Sequence, residues 1–203
     1  NTLLGISLRN NHECDNTKVK IMDRNKFIEI ANHYYSEKYV NKLVNRYSEW
    51  FEDMDINKIA LFSGIVGYLM ANGSLFESKS SEIKKIRLIA SSCHGNIESA
   101  TQLLNDLEHL GFGRNKIHKQ KIEGTFGPPT PLESSRQVVQ TGYTFQYSGG
   151  LSILLKSLGV TVGKRSTQPS SIPDFILNGK KEIKRSFLSG IFGGDGGKIG
   201  YTR

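Results

Sequence analysis

Cysteine is scarce in this chain. Cys14 and Cys93 lie far apart and show none of the paired spacings that a disulfide framework or a cysteine zinc site requires. The five histidines show no ligand spacing either, so neither they nor the Cys93-His94 pair is given a metal role. No apolar run approaches the eighteen or so residues of a membrane span, and no basic-then-apolar leader opens the chain. These absences predict no membrane partner and a reducing, intracellular setting, cytoplasmic or nuclear. Acidic residues are the minority, 19 against 27 lysines and arginines, and the formal charge is +8. That balance favours a polyanion, nucleic acid first, through counterion release.

What is present is ordinary for a folded protein: 37% hydrophobic and 23% charged residues in a chain of 203. This length predicts one sizeable core with an appendage. The chain opens at Asn1 without methionine, which suggests an excerpt of something longer. Residues 1–54 are expected to be a helical extension, because Phe27, Ile28, Ile30 and Ala31, then Val40, Leu43, Val44, Tyr47, Trp50 and Phe51, recur mostly at three- and four-residue spacings. Asn10 to Lys20 reads as loop. From Asp55, an N-cap, a helix is predicted through Ile59, Phe62, Val66 and Leu69 to Asn72-Gly73, with Gly73 in the left-handed conformation.

A strand pair should follow. Ile86, Leu88 and Ala90 alternate with Lys85, Arg87 and Ser91, giving a half-buried strand with one basic face that Ile89 interrupts. Ile97, Ala100, Leu103, Leu104, Leu107 and Leu110 predict an amphipathic helix closed by Gly111. Lys116 to Ile122 reads as a basic strand, the segment around Pro128, Pro129 and Pro131 as loop, and Tyr143, Phe145 and Tyr147 as alternate positions of a further strand. A short helix over Leu151 to Leu158 ends at Gly159, and Pro169 and Pro173 mark a loop before the last helix from Lys181.

An internal repeat carries the candidate chemistry. Sliding the chain by 123 positions, which lays Asp195 over Asn72, places IVGYLMANGS (65–74) over LSGIFGGDGG (188–197). Ser63, Gly67 and Ala71 then coincide with Ser186, Gly190 and Gly194. Small residues at i, i+4 and i+8 let two helix backbones approach closely, so these helices are expected to pack together. Each stripe ends in a polar residue before glycine, which would bring Asn72 and Asp195 together at one end. A helix C-terminus already carries partial negative charge, so an aspartate there calls for a cation. A hard ion such as Mg²⁺ suits carboxylate and carbonyl oxygens and activates water for phosphodiester hydrolysis.

Two small-faced helices ending in Asp-Gly resemble the paired motifs of LAGLIDADG homing endonucleases, and FLSGIFGGDGG (187–197) is the closer match. The runs GYTFQYSGG, LSILLKSLGVTVGKR and IPDFILNGKKEIKRSFLSGIFGGDGG are similar to the stretch that leads into the second motif of intein-borne members. The resemblance covers roughly Ile56 to Arg203. It implies an α+β fold, an αββαββα repeat with a saddle of two sheets over double-stranded DNA, preceded here by the helical extension. The endonuclease domain would be 55–203: first repeat 55–160, connecting segment 161–180 and second motif helix 181–196. Only eight residues follow Asp195, so the second repeat is expected to be incomplete within this sequence.

The resemblance implies that Asp195 is the metal-binding carboxylate of the second motif and that Asn72 stands where the first motif's carboxylate belongs. Asparagine can still ligate through its amide oxygen, but it brings no charge. Where many members place a lysine near the active site, this chain reads Ser92-Cys93-His94. Lys85, Arg87, Lys116, His118, Lys119, Lys121, Lys164 and Arg165 are candidates for phosphate contact, and Gln146 with Arg87 for base readout. The implied function is site-specific, metal-dependent cleavage of double-stranded DNA by an enzyme embedded in a host protein as an intein insert. The alternative is a cleavage-deficient DNA-binding module of the same fold, and a helix-rich protein-interaction domain stands third. The cysteine start and terminal His-Asn that splicing requires are absent from this sequence. A phosphate-loop reading of Gly193 to Gly200 fails, because Phe192 stands where a glycine is needed and Ile199 where Ser or Thr is needed.

Overall fold

The computed structural model of the chain describes residues 20–79, 86–113, 117–125, 137–164 and 171–195, with backbone alone at 120–125, 137–141 and 195. Within these bounds the protein is a mixed α+β structure around one antiparallel sheet. The loops expected over residues 10–19 and around Pro128, Pro129, Pro131 and Pro169 lie outside the described residues, as does the glycine-rich stretch after Asp195.

Helices α1 (Arg24–Tyr34) and α2 (Glu37–Arg46) and a 3-10 turn (Ser48–Phe51) form the N-terminal segment. Asp23 caps α1 by accepting hydrogen bonds from the backbone N–H groups of Asn25 and Lys26. This segment joins the main core. Phe27, Tyr47, Trp50 and Phe51 are buried in the same hydrophobic cluster as Ile59, Phe62 and Leu151. Trp50 packs edge-on against Phe62 with ring centroids 4.6 Å apart and against Phe112 at 4.9 Å. A polar tie adds to this contact, since Tyr34 on α1 hydrogen-bonds both Glu77 and Lys156.

Helix α3 (Ile56–Asn72) starts at Asp55, whose carboxylate caps the N–H groups of Asn57 and Lys58. Twelve of its seventeen residues are buried, which makes it a central helix enclosed on most sides. It runs directly into β1 (Gly73–Lys79), so Gly73 is both helix cap and first strand residue. The left-handed conformation expected there is not adopted: φ is −90° and ψ 174°, an extended conformation open to any residue. Glycine serves for space instead, because a Cβ at 73 would sit 2.6 Å from the Leu69 carbonyl oxygen.

Strand β2 (Ile86–His94) extends three residues past the expected end, and its alternation of buried Leu88 and Ala90 continues through Ser92 and His94. Helix α4 (Ile97–His109) is capped by Asn96 and closed by Gly111, whose φ of 84° is left-handed. Strands β3 (His118–Thr125) and β4 (Gln137–Gln146) complete an antiparallel sheet in the order β1-β2-β4-β3. Helix α5 (Gly149–Ser157) packs on β2, where the Ser152 hydroxyl accepts from the Ala90 N–H at 3.0 Å. A short helix α6 (Asp174–Leu177), begun by Pro173 in a segment expected to be loop, precedes α7 (Lys181–Asp195).

Candidate active site and nucleic-acid face

Among the described residues the most extensive contact between helices is that of α3 with α7. Its seam is made of the small residues. A Cβ at Gly67 would lie 2.2 Å from the Phe187 carbonyl oxygen, one at Gly190 2.0 Å from that of Gly64, and one at Gly194 2.5 Å from the Ala71 side chain. Real Cβ atoms do not approach so closely, so the helices meet backbone to backbone. At the far end the buried Ser63 hydroxyl donates to the Ala60 carbonyl at 2.8 Å and lies 2.9 Å from that of Ile183 across the seam. Ser186 is buried there as well. At the near end the Cβ position of Gly194 is 3.5 Å from the Asn72 N–H nitrogen, which brings the backbones of residues 72 and 194–195 together.

Asn72 is exposed and opens onto a polar cleft of about 620 Å³ lined by Ser74, Ser91, Cys93, His118, Thr144 and Gln146, with Ser92 and Phe145 at its floor. Strand register explains this lining. Ser91 faces Gln146 and Ser74 across the sheet, Cys93 faces Thr144, and Thr144 faces His118, so these side chains share the face turned away from the core. Arg87, opposite Ser78, belongs to that face and is exposed. Lys119 pairs with Tyr143 and falls on the opposite face by the same register, while Lys121, described in backbone alone, pairs with Thr141. Lys164 is exposed beyond α5. Lys85, Lys116 and Arg165 lie outside the described residues.

Beneath the cleft is a buried polar cluster that the sequence reading left without a role. The His94 imidazole is stacked between Tyr68 and Phe145, with centroids at 5.2 and 5.3 Å and interplanar angles of 18° and 9°. Its Nδ1 is 3.0 Å from the Tyr68 hydroxyl and 3.4 Å from the Ser99 hydroxyl, and its Nε2 is 3.0 Å from the Ser92 hydroxyl. Ser92 in turn lies 2.6 Å from the Tyr147 hydroxyl. Burial pushes the His94 pKa down to about 4, so the ring is neutral at physiological pH. Burial also pushes the Tyr68 hydroxyl up, against a hydrogen bond to Asn72 that lowers it, and raises Tyr147 well above the phenol range. The signal that marks His94 is the period-two run Leu88, Ala90, Ser92, His94: continued past Ala90, it turns both polar residues inward.

A divalent metal needs charge, and the cleft supplies little of it. Among the described residues no group of three His, Cys, Asp or Glu converges, and the cleft is lined by amides, hydroxyls, the Cys93 thiol, the His118 imidazole and the Phe145 ring, with no carboxylate. Asn72 contributes an uncharged amide, and α7 ends at Asp195, one residue past the Gly194 that meets the Asn72 backbone. No described helix is long and apolar enough to cross a membrane.

No protein-family model matches the chain. It is 29% identical over 180 residues to the DNA-directed RNA polymerase subunit Rpo1N of Methanocaldococcus jannaschii, a match covering 86% of this chain and 13% of that protein. It is 29% identical over 165 residues to the replication factor C small subunit of the same organism, 81% of this chain and 8% of that protein. It is 28% identical over 142 residues to the tRNA-splicing ligase RtcB of Pyrococcus abyssi, 70% of this chain and 14% of that protein. The chain thus spans between 8% and 14% of the length of these curated relatives.

Proposed function

We propose that the chain is part of a LAGLIDADG-type homing endonuclease of an intein, an intracellular insert that binds double-stranded DNA and hydrolyses its phosphodiester bonds with a divalent metal. The observation that carries this reading is the α3–α7 seam, where glycine backbone contacts set the ends of the two motif helices side by side at the edge of a polar sheet face. That face offers Arg87, His118 and Gln146 for phosphate and base contact. The relatives support the insert. One segment recurring as 8% to 14% of proteins named for RNA polymerase, replication factor and RNA ligase suits a passenger shared by different hosts better than a domain performing any of those activities.

In this reading Asp195 supplies the charge that holds Mg²⁺ and residue 72 borders the cleavage centre as a neutral group. Mg²⁺, when bound, would polarise the phosphate and lower the pKa of a bound water. The neutral Asn72 favours, as second reading, a DNA-binding module with weakened cleavage. The test is incubation of the full natural reading frame with Mg²⁺ and DNA spanning the uninterrupted insertion site, beside Asp195→Ala. Site-specific cutting lost in Asp195→Ala supports the nuclease. Salt-sensitive binding without cutting selects the second reading, and absence of both overturns the nucleic-acid assignment.

A further inference from the structure

The sheet face that carries the cleft is not uniformly polar. On it the cross-strand pairs of β1 and β2 run in the order Ser74–Ser91, Phe76–Ile89 and Ser78–Arg87. The first pair lines the cleft, its hydroxyls 2.8 Å apart, so the two pairs beyond it share the same surface. Phe76 follows the buried Leu75, and Ile89 stands between the buried Leu88 and Ala90. Alternation therefore turns both large apolar side chains away from the core, where they stay partly exposed. Ile89 is the residue that breaks the basic face expected of this strand. Directly opposed Cβ atoms lie about 5 Å apart, so the two side chains make one apolar patch, with hydroxyls on one side and a guanidinium on the other.

We propose, on the DNA reading given above, that Phe76 and Ile89 are specificity-determining residues that receive the C5 methyl group of a thymine in the major groove. Charge complementarity points to DNA as the occupant: Arg87 borders the patch, and among the described side chains of this face there is no carboxylate. A two-stranded ribbon such as β1–β2, with β1 at the sheet edge, fits the major groove of about 12 Å and not the minor groove of about 6 Å. Of the groups that mark the four bases in that groove, the thymine methyl is the one without a donor or acceptor. A hydrocarbon placed over any of the others leaves it dehydrated and unpaired, so only thymine gains from the contact. The serine hydroxyls beside the patch behave differently, since each donates or accepts with equal ease and selects no base. Phe76 lies four positions beyond Asn72. At strand rise that is about 13 Å, so a ribbon lying along the groove puts the selected thymine about four base-pair steps from the candidate cleavage centre.

The test is binding of the full natural reading frame, without Mg²⁺, to DNA spanning the uninterrupted insertion site in which thymines are replaced one at a time by deoxyuridine, which lacks only the methyl. The expected result is a loss of affinity of about fourfold at one thymine, the factor that burial of a methylene-sized group supplies. That penalty should shrink toward unity in Phe76→Thr and in Ile89→Thr, which keep a strand-forming residue, and should stay as in the parent in Ser78→Ala. An aromatic residue opposite a branched one also stabilises a sheet, so both threonine variants are expected to lower Tm. A purely structural role weakens binding to both DNAs alike and leaves the ratio between thymine and uracil unchanged. A parent that binds DNA yet is indifferent to every uracil, or a penalty that persists at full size in both threonine variants, overturns the assignment and leaves the DNA reading standing. A parent that binds neither DNA removes the DNA reading, and the thymine contact with it.

Discussion

Replacing Gly190 by alanine tests the seam that carries the functional reading. A methyl group there would lie 2.0 Å from the Gly64 carbonyl oxygen and 2.8 Å from the Tyr68 amide nitrogen, both backbone atoms that no rotamer change can move. Ordinary contact begins near 3.4 Å, so α7 has to retreat by more than about 1 Å. Overpacking of this kind costs about 1 to 3 kcal/mol, at the upper end when backbone must move. The cross-helix contact of Ser63 with the Ile183 carbonyl would open as well, at little cost, because the hydroxyl keeps the Ala60 carbonyl of its own helix as acceptor. Alanine returns about 1 kcal/mol through helix propensity. The net expectation is about 2 kcal/mol of destabilisation, a fall in Tm of about 4 to 8 °C for a chain of this size. Gly95→Ala is the control, since nothing lies within 4 Å of a Cβ at that position. Gly67→Ala should match Gly190→Ala, and the double variant should cost less than the sum, because one separation relieves both clashes. Thermal unfolding in which Gly190→Ala and Gly95→Ala are equally stable would refute the backbone-contact seam.

Other parts of the structure give sharp expectations. His94 titrates near 4 when folded against an ordinary 6.5, so its contribution to stability is fully present above about pH 6.5 and is lost as pH falls through 4. This comes to about 3 kcal/mol by linkage, and urea midpoints at pH 7.5 and 4 should differ less in His94→Gln than in the parent. Trp50→Ala should cost about 3 to 5 kcal/mol and lower one shared unfolding transition, whereas a separate early transition for residues 20–54 would mean that the N-terminal segment is independent. If the cleft face meets DNA, Arg87→Ala should reduce the salt-dependence slope of binding by about 1, and Lys119→Ala, on the opposite face, should leave it unchanged.

Local signals made most elements legible. Asp55 ahead of an apolar run marked the start of α3, Gly111 and Gly159 marked the ends of α4 and α5 with the positive φ that glycine permits, and the small-residue stripes marked the α3–α7 seam. What escaped was non-local. The inward turn of Ser92 and His94 depends on Tyr68 and Tyr147 meeting them from 26 and 55 residues away, since a buried polar pair is tolerable only when such partners arrive. The separation of Lys119 from Arg87 and Gln146 is a matter of register between strands, which alternation within a single strand does not encode. Gly73 misled for a different reason. A helix that passes straight into a strand needs no left-handed residue, and glycine there answers the crowding of the Leu69 carbonyl.

The two constraints on the candidate site meet in one residue. The Tyr68 backbone nitrogen lies against the Cβ position of Gly190 on the α7 side of α3, while its ring and hydroxyl engage His94 on the sheet side. A helix buried on most of its surface cannot yield on one side without pressing on the other, because the interior is packed too densely to absorb the shift. A methyl at 190 should therefore push Tyr68 toward the sheet and disturb its 3.0 Å contact with His94 as well as opening the seam. The His94 ring N–H should exchange with solvent faster in Gly190→Ala than in Gly95→Ala, by more than the difference in global stability accounts for. If exchange follows global stability alone, the seam and the polar cluster are mechanically independent, and the His94 cluster survives any loosening of the helix pair that leaves the sheet side intact.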